Sequence, residues 1–100
     1  MQEVKIISTS PELTFALSGE IDAANAEEFY AEFSAAYKTP SNVVFDCSAL
    51  EFIDSTTLGT FVKILKKVKT DGYTIKLLSL QPRLKKLFVI CALDTIMEIA

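Results

Sequence analysis

Three hydroxyl groups and one carboxylate stand side by side in the segment Asp54-Ser55-Thr56-Thr57. Asp, Ser and Thr side chains accept hydrogen bonds from the free amides of a helix's first turn, so the simplest interpretation of this segment is a helix N-cap. One cap needs only one acceptor, however, and the segment offers four polar side chains. This surplus argues against a purely structural role.

Catalysis at Ser55 is disfavoured by what the chain lacks. A serine hydroxyl attacks at neutral pH only with an adjacent base, usually histidine, and the 100 residues include no histidine. The lysines that follow lie a helical turn or more away. Asp46, Glu51 and Asp54 make only a loose carboxylate set for a metal ion, and no Gly-rich nucleotide loop is present. The sequence therefore disfavours an enzyme and predicts no metal and no cofactor.

The elements before this segment follow from the spacing of apolar residues. Strands are predicted at Glu3 to Ser8 and Leu13 to Ser18, forming an opening hairpin. Gly19 to Asp22 closes the second strand, and Asp22 or Asn25 is expected to cap the helix that follows. The inward face of that helix consists of Ala26, Phe29, Tyr30, Phe33 and Tyr37.

A central strand and a second helix flank the hydroxyl segment. Val43 to Phe45 is a continuous apolar run, typical of a strand buried on both faces, and a link from Asp46 to Ile53 follows it. The second helix is expected to have a basic, solvated outer face, since four lysines lie mostly outside its apolar stripe. That stripe consists of Leu58, Phe61, Val62, Leu65 and Val68.

The last third of the chain adds a strand at Thr74 to Leu78 and a third helix that begins at Pro82. Thr95 to Ile99 fits either a final edge strand or a helical turn. The third helix is expected to bury Leu84, Leu87, Phe88 and Cys91. Strands that alternate with helices predict an α/β fold: one domain over residues 1–100, with a mixed sheet, an opening antiparallel hairpin and amphipathic helices packed against it.

Composition narrows the choice of partners and compartment. The net charge of −3 combines about −8 over residues 1–54 with about +5 over residues 55–100. The sequence has no stripe of aromatic and basic residues of the kind that would indicate nucleic-acid binding, so a nucleic-acid partner is not expected. The longest apolar run, Leu87 to Leu93, is too short to span a membrane, and the N-terminus lacks the pattern of a secretory signal. A cytoplasmic protein is expected, in which Cys47 and Cys91 are small core residues without a disulfide.

The segment Leu50 to Gly59 resembles the signature of STAS-domain anti-sigma factor antagonists, approximately L-x-F-[IM]-D-S-[ST]-G-L-G, at nine of ten positions. Gly19 to Asp22 resembles the family's G-E-[LI]-D motif after the second strand. Pro82 to Phe88 resembles its third-helix segment, so the resemblance covers about residues 12 to 99.

The resemblance implies a phosphorylation switch. In that family the serine after the signature Asp, here Ser55, accepts phosphate from an anti-sigma factor serine kinase, and a serine/threonine phosphatase removes it. The unphosphorylated form binds the anti-sigma factor and releases the sigma factor. The implied partner-binding surface consists of Asp22, Asp54, Ser55, Thr56, Thr57 and Gly59.

The chain departs from the family pattern at two positions. Thr57 stands where most relatives have glycine, and Ala92-Leu93 replaces a frequent Gly-Leu. A branched side chain at Thr57 narrows the approach to Ser55. This leaves a second interpretation open: a STAS module that is not phosphorylated and serves as a subunit of a larger assembly, such as a phospholipid-transport or stress-sensing complex. A nucleotide-binding or other small-molecule domain is a third.

Overall fold

The computed structural model describes residues 2–9 and 11–100. Within them the chain forms five strands, three α-helices and a short 3-10 helix at Leu93–Thr95. The strands are β1 (Gln2–Ser8), β2 (Leu13–Ile21), β3 (Val43–Ile53), β4 (Ile75–Leu78) and β5 (Glu98–Ile99). The helices are α1 (Ala26–Ala36), α2 (Ser55–Thr70) and α3 (Pro82–Ile90).

The strands form a single mixed sheet in the order β1-β2-β3-β4-β5. β1 pairs antiparallel with β2, whereas β2, β3, β4 and β5 run parallel to their neighbours. Because successive parallel strands are adjacent and their crossovers are right-handed, α1, α2 and α3 cover the same face of the sheet. The predicted α/β fold with an opening antiparallel hairpin is confirmed.

The core lies between this helical layer and the sheet. Leu13, Phe15 and Leu17 of β2 are buried, while the alternate residues of β2 are half-buried on the uncovered face. The largest core side chains are phenylalanines, and the ring of Phe45 in the central strand lies 5.3 Å from that of Phe15 and 5.4 Å from that of Phe61. The six fully buried phenylalanines are Phe15, Phe29, Phe33, Phe45, Phe61 and Phe88.

β3 is longer than its apolar pattern predicts. The expected link from Asp46 to Ile53 is wrong, since the strand continues to Ile53. Its pairing with β2 shifts register between Ala16 and Ser18 and again between Gly19 and Glu20. Each bulge adds one residue to β3, so Leu50 and Ile53 both face the core although they lie three residues apart. The strand therefore leads directly to Asp54.

α2 has the predicted arrangement of an apolar face and an exposed basic face. Leu58, Phe61, Leu65 and Val68 are buried, and its four lysines are exposed. Its C-terminus closes in a Schellman motif around Gly72, whose φ of 88° favours glycine. The amide of Gly72 donates to Lys69 O (2.9 Å), and that of Tyr73 donates to Val68 O (3.0 Å).

The end of α3 corrects one core assignment. Leu84 and Phe88 are buried as expected, but Cys91 is exposed because the helix ends at Ile90 and the chain turns at Ala92, which has a φ of 58°. Cys47 is buried, and burial raises the pKa of its thiol to about 12. Thr95 to Ile99 contains both predicted alternatives, the end of the 3-10 helix and then β5.

Candidate functional site

Asp54 joins β3 to α2 and caps the helix. Its Oδ1 accepts the backbone amide of Thr57 (3.0 Å), and its backbone carbonyl accepts the amide of Leu58 (3.1 Å). Its Oδ2 accepts the amide of Ala23 (3.0 Å), which belongs to the loop between β2 and α1. The N-cap predicted from the sequence is therefore present, and its carboxylate also binds a second loop.

The hydrogen bonds of Asp54 keep its carboxylate ionised. The backbone amide of Thr57 is the largest cause that lowers the pKa of Asp54 below its ordinary value, and the Thr57 hydroxyl and the Ala23 amide act in the same direction. The negative charge lies at the N-terminus of a 16-residue helix, where the helix dipole favours it. The cap is thus charged across the neutral pH range.

Ser55 and Thr56 are the first two residues of α2, and both are exposed. Among the described residues, no side chain or backbone group forms a hydrogen bond with the Ser55 hydroxyl. The backbone carbonyl of Thr56 accepts a hydrogen bond from the Thr60 hydroxyl (3.2 Å). The Thr56 hydroxyl, like that of Ser55, forms no hydrogen bond within the described residues. The hydroxyl of Ser55 is open to a partner.

Thr57 differs from its two neighbours because its side chain is fully buried. Its hydroxyl lies 2.5 Å from Ile21 O, at the end of β2, and 3.0 Å from Asp54 Oδ1. The single hydroxyl proton is therefore shared between two acceptors. Thr57, Asp54, Ile21 and Ala23 together form what we call the Thr57 clamp, which fixes the end of β2 to the start of α2.

The loop that holds Asp22 is also internally ordered. Asp22 Oδ1 accepts the amide of Ala24 (2.9 Å), while Asn25 Oδ1 accepts the amide of Asp22 (2.8 Å). Asn25 Nδ2 donates to Glu20 O (3.0 Å). The expectation that the side chain of Asp22 or Asn25 caps α1 is wrong, because both side chains bind their own loop and the N-cap Asn25 forms no side-chain cap hydrogen bond.

Gly59 lies one helical turn after Ser55 on α2 and is exposed. A Cβ atom at this position would meet nothing within 4 Å. The glycine is therefore not required by packing inside the domain. Its absence of a side chain leaves the surface beside Ser55 flat.

The structure brings the predicted site residues to one surface in two groups. Asp54, Ser55, Thr56 and Gly59 follow the first turns of α2, and the Thr57 clamp brings the Asp22 loop beside them. Thr57 supports this surface from beneath, since it is buried. Its predicted direct contact with a partner is therefore replaced by a supporting position.

Sequence reasoning did not predict the positions of three residues near this surface, Phe52, Gln81 and Arg83. Phe52 is 42 % exposed although it belongs to β3. Gln81 Nε2 donates to Leu50 O (3.3 Å), and the Arg83 guanidinium donates to the carbonyl of Glu51. These contacts fix the start of α3 to the end of β3. They join residues more than 30 positions apart, so a single sequence carries no signal for them.

No group of three or more His, Cys, Asp or Glu side chains that could hold a metal ion occurs among residues 2–9 and 11–100. In the same residues, no helix is both long and apolar enough to cross a membrane. The two cavities of note, about 410 and 320 Å³, are lined by residues of β1, β2 and α1 and their connections, away from Ser55.

A five-stranded mixed sheet with one helical layer, and a hydroxyl-bearing helix start beside the end of β2, define a small α/β module. The family model of the STAS domain matches residues 3–100. The chain belongs to the STAS domain family, and its similarity to curated relatives places it with the anti-sigma factor antagonists, which are non-enzymatic regulators.

One curated relative supports this placement, and two solved structures share the fold. The anti-sigma-B factor antagonist of Bacillus subtilis (strain 168) is 32% identical over 84 residues, which cover 84% of this chain and 77% of that protein. An anti-sigma factor antagonist from Mycobacterium paratuberculosis has the same fold, with a TM-score of 0.87 at 19% identity over 99% of this chain and 85% of that one. Bacillus SpoIIAA in its phosphorylated form gives a TM-score of 0.73 at 20% identity over 100% and 91% of the two chains.

Proposed function

We propose that this chain is an anti-sigma factor antagonist whose unphosphorylated form binds an anti-sigma factor with serine kinase activity and thereby releases a sigma factor. Phosphorylation of Ser55 switches this binding off, and a serine/threonine phosphatase restores it. The observation that carries the proposal is the exposed Ser55 hydroxyl at the first position of α2, next to a charged N-cap. Similarity to the Bacillus subtilis anti-sigma-B factor antagonist supports it.

Accessibility selects Ser55 among the three hydroxyls of the segment. The Thr57 hydroxyl is buried and bound to Ile21 O, so a kinase cannot reach it without opening the clamp. Thr56 is exposed but is a bulkier secondary alcohol. Gly59 leaves the helix surface beside Ser55 clear for a kinase loop. Ser55 is therefore the preferred acceptor.

The domain should keep its fold after phosphorylation. A phosphate at Ser55 adds about −1.5 to −2 charges at the N-terminus of α2, where the helix dipole and free amides favour anions. Phosphorylation changes the binding surface and not the fold. A bulky dianion beside the ionised Asp54 repels acidic groups of a partner and resists burial in a dry interface. A penalty of about 3 kcal/mol weakens binding roughly 100-fold.

The partner surface includes the Asp22 loop because the Thr57 clamp holds that loop against α2. Ala23 reaches Asp54 Oδ2 through its backbone amide, so the loop and the helix start move together. A partner that contacts Ser55 therefore contacts Asp22 as well. The exposed ring of Phe52, at the end of the neighbouring strand, extends the same end of the domain.

The proposal is tested by intact mass after incubation with ATP, Mg²⁺ and a candidate anti-sigma kinase. We expect one phosphate on the wild type and on Ser48→Ala, a control at an exposed serine in β3. Ser55→Ala should gain none. Equal phosphorylation of wild type and Ser55→Ala would assign the modification to another residue and overturn the role of Ser55.

A second candidate is a STAS module that works without phosphorylation as an adaptor subunit of a larger assembly. The observation that favours it is the Thr57 clamp, because a buried branched side chain replaces the glycine common in the family and fixes both loops. Such a module would form a stable complex whose affinity is the same for wild type and Ser55→Glu. The phosphorylation switch predicts a large loss of affinity for Ser55→Glu.

A further inference from the structure

β3 extends past the strand that flanks it on one side. β4 has four residues, Ile75–Leu78, and its pairing with β3 ends where Asp46 lies opposite Leu78. Residues 47–53 of β3 lead toward Ser55 and pair, among the described strands, with β2 alone. Backbone carbonyls on the other side of this segment therefore need donors from outside the sheet.

Two side chains at the start of α3 supply such donors. Gln81 Nε2 donates to Leu50 O (3.3 Å), and the Arg83 guanidinium donates to Glu51 O. Gln81 is the N-cap of α3, yet its side chain forms no cap hydrogen bond and is bound to β3 instead. A cation in the first turn of a helix is disfavoured by the helix dipole, so α3 itself gives no electrostatic reason for an arginine at position 83.

Glu51 is the extra residue of a β-bulge. Gly19 of β2 lies opposite Leu50, and the register then shifts. The next residue of β2, Glu20, lies opposite Phe52, so Glu51 has no residue of β2 opposite it. Arg83 thus binds the residue that the pairing with β2 leaves out of residues 50–53.

The bulge decides which side chains of this segment face the core. In a regular strand successive side chains alternate, so Leu50 and Phe52 would share a face. Here Leu50 and Ile53 are buried and Phe52 is 42 % exposed, because the extra residue changes the alternation. The bulge therefore turns the ring of Phe52 outward, two residues before the Asp54 cap.

We propose that Arg83 is a positioning residue for the Ser55 surface. Its guanidinium binds the carbonyl of the bulged residue and so holds β3 in the register that exposes Phe52 and leads Asp54 into the cap of α2. The Thr57 clamp holds the same end of β3 from the side of β2. The inference rests on the proposed function, in which this surface binds the anti-sigma factor. Arg83 acts through β3 and does not need to touch the partner.

Loss of the Arg83 donor should weaken the bulge. The carbonyl of Glu51 then depends on water, and the regular alternation, with Phe52 on the face of Leu50, competes with the observed one. The segment from Glu51 to Ser55 then samples more than one arrangement, and a partner must select the one that it binds. Affinity falls although no contact with the partner has been removed.

Hydrogen exchange of the purified free chain tests the positioning role without any partner. Arg83→Met keeps the length of the side chain and removes its donors, and Lys86→Met, at an exposed lysine of the same helix, is the matched control. We expect peptides that cover residues 50–57 to exchange about 3- to 30-fold faster in Arg83→Met, with peptides of α1 unchanged. Lys86→Met should exchange like the wild type throughout.

Arg83→Lys is the conservative variant for the same measurement. Its ammonium group can donate to the carbonyl of Glu51, so exchange over residues 50–57 should return toward that of the wild type. Exchange of Arg83→Met equal to that of the wild type over these residues would overturn the inference. Faster exchange spread evenly over the whole chain would overturn it too, since that is the result of a general loss of stability. Arg83 is exposed, so the variants are expected to fold, and circular dichroism checks this.

Calorimetric titration with the anti-sigma factor tests the consequence for binding. Affinity should be about 3- to 30-fold weaker for Arg83→Met, closer to the wild type for Arg83→Lys, and equal to the wild type for Lys86→Met. Weaker binding without faster exchange in the free chain would show that Arg83 touches the partner and would overturn the positioning role. A wild type that does not bind the anti-sigma factor would contradict the proposed function instead, and exchange in the free chain would still decide the role of Arg83 in β3.

Discussion

Ala92 adopts a left-handed backbone conformation, with a φ of 58°, at the residue after the C-cap of α3. Such a conformation costs an L-residue with a Cβ atom about 1 kcal/mol, and glycine avoids this cost. This gives a structural reason for the Gly-Leu that is frequent in the family pattern and that Ala92-Leu93 replaces here. The chain keeps the turn that the glycine serves, although it lacks the glycine.

Replacement of Ala92 by glycine should stabilise the domain. We expect Ala92→Gly to raise the free energy of unfolding by about 0.5–1 kcal/mol, measured by urea denaturation. Ala31→Gly, at an exposed position inside α1, is the control and should lower it by about 1 kcal/mol. The same sign for both variants would contradict the strained turn.

We expect the Thr57 hydroxyl to stabilise the fold through its hydrogen bonds rather than to accept phosphate. Thr57→Val keeps the shape but leaves the carbonyl of Ile21 without this donor, so we expect a loss of about 1–3 kcal/mol in the free energy of unfolding. Thr56→Val, exposed on the same helix turn, should change it by no more than about 0.5 kcal/mol. If both variants lose the same amount, the Thr57 clamp is not a stabilising contact.

At the scale of elements, the residue at position 59 of α2 affects both the stability of the helix and the surface beside Ser55. A Cβ atom there has free space, so Gly59→Ala and Gly59→Arg should each raise the free energy of unfolding by up to about 1 kcal/mol. Only the arginine should weaken binding to the anti-sigma factor, because it projects from the surface one turn from Ser55. Calorimetric titration of both variants measures this; unchanged affinity for Gly59→Arg would remove Gly59 from the interface.

The elements also show how much of the fold can be predicted from the sequence. The hairpin, the amphipathic helices and the N-cap at Asp54 follow from local periodicity and capping chemistry, which a single sequence contains. The extension of β3 to Ile53 does not, because two bulges change which residues face the core. The Thr57 to Ile21 contact spans 36 residues, and no local rule predicts it. The N-cap at Asp54 was predictable, whereas the long-range contacts around it were not.

At the scale of the whole molecule, chain order and strand order coincide, and this places the acidic and basic halves at opposite edges of the sheet. Ser55 lies at the boundary between these halves, at the start of the central helix. The division of charge was visible in the sequence. Its separation toward two edges of the sheet required the strand order, which composition does not contain.

The central claim is that one phosphate at Ser55 controls partner binding while the fold is kept. The most direct measurement is a calorimetric titration of the cognate anti-sigma factor with unmodified chain and with chain phosphorylated at Ser55. We predict that the dissociation constant rises roughly 100-fold on phosphorylation, with Ser55→Ala binding like the unmodified chain. Equal affinity of the two forms would contradict the switch and favour a constitutive STAS subunit.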